Sequence, residues 1–101
     1  MERDQICACH KKKERSEEEA KSLIHRLNRI EGQIRGIRGM VEKNVYCTDI
    51  LMQVAAANAA LNAFTRELLG NHIRTCVAED IRNGNDETID ELMNTLQKLM
   101  K

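Results

Sequence analysis

The sequence predicts an all-α chain of three helices, and three observations carry the prediction. The 101 residues include no proline, so nothing in the backbone forbids long helices. Leu23, Leu27, Ile30, Ile34, Ile37 and Val41 recur at alternating spacings of four and three, the period of a helix stripe. Ala, Leu, Glu and Lys are abundant, whereas Phe and Tyr occur once each and Trp not at all, so the core must be aliphatic. A chain this short buries only about 60–65% of its unfolded surface. Its long helices cannot cover their own apolar faces, so oligomerisation is the expected remedy.

Residues 1–16 carry Ile6 as the only large apolar side chain after Met1 and are expected to be a flexible tail, with residues 17–101 as a single helical domain. Inside the tail, Cys7-Ala8-Cys9-His10 precedes Lys11, Lys12, Lys13 and Arg15. Three metal donors in four residues form a candidate auxiliary metal site, and the cations favour thiolates. The basic cluster reads equally as a phosphate-contacting arm or a solvated tail.

Helix one starts at Ser16, a capping residue followed by Glu17, Glu18 and Glu19, which suit the positive end of the helix dipole. Its apolar stripe is a heptad seam and calls for a partner helix along its length. Arg26, Arg29 and Gln33 sit on one flank of the seam, Arg35 and Arg38 on the other. Residues 20–43 hold six Lys or Arg against two Glu, while the whole chain is neutral. Charge is therefore segregated, and a basic helix face fits a polyanion. Gly32, Gly36 and Gly39 each cost about 1 kcal/mol relative to Ala, which predicts a close approach to that face.

Lys43-Asn44 is a short connection. Helix two then runs to the stop at Asn83-Gly84-Asn85-Asp86, where a new cap begins helix three. On helix three Ile89, Leu92, Met93, Leu96 and Met100 share a face expected to cover the bundle near Cys76.

Helix two carries the chemistry. Cys47 opens it, and His72 and Cys76 follow at i,i+4 spacing on one face. Cys47 and His72 are separated by roughly 37 Å of helix at ~1.5 Å per residue, so one protomer cannot join all three. An antiparallel second copy can, crossing near Ala60 and Leu61 within the small-residue run 55–63. This predicts a four-helix-bundle dimer with two sites shared across its two-fold axis. Two thiolates and an imidazole suit Cu(I). Zn(II) wants a fourth ligand, which Cys7, Cys9 or His10 could supply, so Zn(II) and Ni(II) stay open. No nucleophile–base–orienter set or phosphate-binding loop is present, so no enzyme is expected. No apolar stretch reaches a membrane span, and the opening residues do not read as a signal peptide. The expected compartment is the reducing cytoplasm, where four cysteines serve as ligands or redox thiols rather than a disulfide frame.

From about Lys21 onward, the run Arg26-Leu27-Asn28-Arg29-Ile30-Glu31-Gly32-Gln33-Ile34-Arg35-Gly36, the pair Tyr46-Cys47 with Asp49-Ile50-Leu51, and His72 with Cys76 resemble the copper-sensitive operon repressor (CsoR/RcnR) family. The resemblance implies a three-helix protomer, an antiparallel dimer and a disc-shaped dimer-of-dimers tetramer. It implies a repressor that binds operator DNA without metal, releases it on Cu(I) binding and so derepresses copper-efflux genes. Its Cu(I) ligands fall on Cys47, His72 and Cys76, with Tyr46 and Glu91 linking the site to helix three. Arg26, Arg29 and Gln33 match the family's DNA-contacting stretch, and a copper chaperone is a candidate metal donor. Nickel and cobalt members carry an N-terminal histidine where Arg15 stands here. Persulfide-sensing members have cysteine in place of His72. Several relatives also place an arginine within the middle of helix two, where residues 55–63 have none. A Ni(II)- or Zn(II)-responsive repressor and a metal-buffering protein that never touches DNA are the alternative readings.

Overall fold

The structure, a computed structural model, describes residues 15–100. The described residues form helices and turns: α1 (Glu17–Glu42), α2 (Cys47–His72), a π-helical turn (Ile73–Val77), α3 (Ala78–Arg82) and α4 (Glu87–Leu99). From Cys47 to Arg82 these elements follow one another without a break, so α4 is the third helix expected from sequence. No described helix is long and apolar enough to cross a membrane. The described residues fall into two compact units, 15–68 and 69–100.

In the first unit, the Ser16 side chain accepts a hydrogen bond from the Glu19 backbone N–H at 3.1 Å, which satisfies an orphan donor at the start of α1. The helix ends where Asn44 takes φ 56°, a left-handed stop that asparagine tolerates. The Val45 N–H closes the turn on the Met40 carbonyl at 3.0 Å. The heptad seam of α1 does not bury as one stripe. Leu23 and Ile30 are buried and Ile37 half-buried, whereas Leu27, Ile34 and Val41 are exposed. A single neighbouring helix covers one ridge of a seam, and here Leu27, Ile34 and Val41 are the ridge left over. Among the described residues no close approach is made at two of the glycines: a Cβ on Gly36 or Gly39 would meet nothing within 4 Å.

In the second unit, Cys76, Val77, Asp80 and Thr88 are buried. The stop after α3 is a Schellman closure, with the Asn85 N–H on the Asp80 carbonyl (2.8 Å) and the Gly84 N–H on that of Ile81 (3.0 Å). Gly84 holds φ 81° there, a conformation that glycine adopts without a Cβ clash. The expected side-chain cap at Asp86 does not form. Instead Thr88, in the first turn of α4, donates its hydroxyl to Asp80, pinning α4 to α3. On α4, Leu92 and Leu96 are half-buried, while Ile89, Met93 and Met100 are exposed, so only part of the expected face is covered.

Candidate metal centre and basic groove

The three expected ligands occupy the two ends of one helical run. Cys47 is the first residue of α2, exposed and a free thiol. His72 is its last residue and half-buried. Cys76 lies in the π turn, 1% exposed. A π turn bonds i to i+5 and is wider than an α turn, so the four-residue step from His72 to Cys76 no longer completes a turn as the plain helix reading assumed. Local bonding accompanies it: the Thr75 hydroxyl donates to the Asn71 carbonyl at 2.7 Å, a back-bond that bends helices, and Arg74 Nη2 donates to Asn71 Oδ1 at 2.7 Å.

Among the described residues no three His, Cys, Asp or Glu side chains converge on a metal position. Cys76 is disulfide-bonded, against the expectation of reduced thiols, and in that state its sulfur holds no metal; the thiolate is the ligand. Tyr46 precedes Cys47 and is 72% exposed. Glu91 is half-buried on α4, where its carbonyl accepts from the Thr95 hydroxyl at 3.0 Å. Cys7, Cys9 and His10 lie outside the described residues.

The first unit brings a different group together. Arg26, Arg29 and Gln33 of α1 face Ala56, Ala59, Ala60 and Ala63 of α2 across an open groove of about 300 Å³. These are the residues of one flank of the sequence-read basic face; Arg35 and Arg38, on the other flank, do not line it. At ~100° per residue the four alanines lie between about 120° and 180° round the helix from Cys47. The alanines thus floor a groove within one chain, on the side of α2 away from the first ligand; the crossing expected near Ala60 and Leu61 involves a second copy.

Arg26 Nε donates to Glu67 Oε1 at 2.6 Å. Hydrogen bonds from Ser22 and from Arg26 hold the Glu67 carboxyl below its usual range. Arg38 pairs with Glu42 at 3.4 Å one turn along its own helix. Arg29 and Arg35 make no ion pair among the described residues, and Gln33 Oε1 is buried without a hydrogen-bond partner there. Sequence reasoning missed Glu67. It lies 41 residues from Arg26, and no local spacing announces the pair.

Residues 19–98 match the family described as metal-sensitive transcriptional repressor. The copper-sensing transcriptional repressor CsoR of Bacillus subtilis (strain 168) is 43% identical over 88 residues, covering 86% of this chain and 87% of that protein. The copper-sensing transcriptional repressor RicR of Mycobacterium tuberculosis is 42% identical over 59 residues, 58% of this chain and 62% of that one. Among solved structures, the copper-sensing repressor CsoR with Cu(I) from Geobacillus thermodenitrificans NG80-2 superposes with a TM-score of 0.84 at 44% identity, over 88% of this chain and 94% of that chain. The nickel-responsive transcriptional regulator InrS gives a TM-score of 0.68 at 37% identity, over 88% and 98%.

Proposed function

This chain belongs to the metal-sensitive transcriptional repressors, and we propose that the metal it senses is Cu(I), held by Cys47 of one protomer with His72 and Cys76 of another. The observation that carries the reading is the unbroken helix between Cys47 and His72, which keeps the donors of one chain apart and calls for a second copy. The donor set fits the metal: two soft thiolates and one imidazole match Cu(I) better than the harder divalent ions. The copper-sensing names and the Cu(I)-bound structure among its relatives support the same choice.

When bound, Cu(I) supplies a link between the end of α2 that bears Cys47 and the end of its neighbour that bears His72 and Cys76. Tyr46, beside Cys47, and Glu91, on α4, are the groups that report occupancy to the rest of the chain. Arg26, Arg29 and Gln33 present the groove to the phosphates of operator DNA, with Arg35 and Arg38 adding charge on the far flank. The working assembly is an antiparallel dimer, paired again into a tetramer, in the cytosol. A copper chaperone is the natural donor, and Cys7, Cys9 and His10 form an auxiliary docking point for the metal. Because binding energies are reciprocal, release of DNA by Cu(I) requires that DNA weaken Cu(I) binding by the same factor.

The test is a mobility assay on operator duplex with reduced protein. Apo protein binds; one equivalent of Cu(I) per protomer abolishes the shift, and Ni(II) does not. Release by Ni(II) but not Cu(I) would move the chain to the nickel-responsive reading, and no shift at all would favour a metal buffer.

A further inference from the structure

The basic groove has one wall of arginine and glutamine and a floor of alanine, but it is not left to its own charges. At one end, Arg26 is tied to Glu67 through Nε alone, at 2.6 Å. A guanidinium carries five N–H donors in a rigid plane, so a carboxylate on Nε fixes that plane and leaves the donors of Nη1 and Nη2 uncommitted to it. Arg26 lines the groove, and Glu67, one turn beyond Ala63 on the same face of α2, sits past its end rather than in its lining. Glu67 is itself held by a second donor, the Ser22 hydroxyl, one turn before Arg26 on α1. Ser22, Glu67 and Arg26 thus form a closed polar clip across α1 and α2. Arg29, one turn further along, has no such support among the described residues.

We propose that Glu67 is a positioning residue for phosphate recognition, holding Arg26 with its Nη edge presented to the DNA backbone. This rests on the reading of the groove as the DNA face. An unheld arginine surrenders rotamer freedom when it engages a phosphate; an arginine already clamped at Nε has lost much of it beforehand. The negative charge of Glu67 costs little in return, because the Ser22 hydroxyl and Arg26 Nε both point at it. Its lowered pKa agrees with a carboxylate that stays ionised in this clip.

The experiment is a double-mutant cycle read by fluorescence anisotropy, using a labelled duplex selected by the apo protein from a random-sequence pool. Arg26→Ala weakens binding and lowers the salt-dependence slope by about 0.9. Glu67→Ala weakens binding by roughly five- to tenfold, Glu67→Gln, which keeps an acceptor for Nε, stays within about twofold of the parent, and Arg26→Ala/Glu67→Ala is no weaker than Arg26→Ala alone. Cu(I) affinity and the thermal midpoint of Glu67→Ala report whether the fold has survived. If Arg26→Ala binds as the parent does, the groove reading fails and the positioning role fails with it. If Arg26→Ala weakens binding but Glu67→Ala binds as tightly as the parent or tighter, the groove reading stands and Glu67 is a bystander or a competitor for Arg26. Additive losses in the double mutant overturn the positioning role as well.

Discussion

Single residues decide whether the second unit holds its shape. Asp80 is fully buried, and the Thr88 hydroxyl donates to it. Burying a carboxylate is tolerable only while donors satisfy it. Thr88→Val keeps the volume and deletes the donor, so it should cost about 1.5–3 kcal/mol, read as a fall in the urea midpoint of the reduced protein. Thr88→Ser, which restores the hydroxyl, should recover most of that loss. If valine is as stable as threonine, the bond does not hold α4 to α3. Nothing in the sequence singles out this pair: eight residues separate them, and both sit among polar neighbours that read as an ordinary turn. Cys47, His72 and Cys76 stood out as candidate donors because thiols and imidazoles are the soft ligands of this chain and their spacing on a helix has few interpretations. Glu67 was not legible, because one carboxylate in a helix acquires meaning only when the other helix is laid beside it.

At the scale of elements, the ends were readable and the faces only partly so. Ser16 and the Asn83-Gly84 stop act through local backbone chemistry, and the structure places α1 and the α3 terminus where those residues put them. The π turn has no sequence signature, since Ile73–Val77 contains no glycine or proline to mark it. The heptad seam of α1 was read as one stripe, yet its two ridges part company, because burial by a single neighbour reaches only Leu23, Ile30 and, in part, Ile37. That division has a consequence for assembly. Leu27, Ile34 and Val41, with Ile34 52% exposed, are the residues an additional helix would cover, at about 1.5–3 kcal/mol for each side chain fully buried. Ile34→Lys should leave helix content unchanged by circular dichroism. It should also weaken self-association by at least about tenfold in analytical ultracentrifugation. An unchanged sedimentation profile would remove this ridge from the interface.

For the whole molecule, the central question is whether a metal site belongs to one chain or to two. Cys47 and His72 stand at opposite ends of α2, and the proposed site is completed by a second chain. Two variants separate the alternatives. Cys47→Ala lacks the first ligand, and His72→Ala/Cys76→Ala lacks the other two; under sharing, neither homodimer contains an intact site. In a mixed dimer, Cys47 of the second variant meets intact His72 and Cys76 of the first, so one complete site returns while the other position loses all three ligands. Mixing the reduced proteins and allowing subunits to exchange should therefore restore tight Cu(I) binding at one equivalent per heterodimer, measured by competition with a chromophoric Cu(I) chelator. Reductant is essential, because a disulfide at Cys76 removes a ligand from every site. Were all three ligands drawn from one chain, no mixture could rebuild a site. Heterodimers verified by mass spectrometry that still bind no Cu(I) would then show that the two ends of α2 do not serve a common metal.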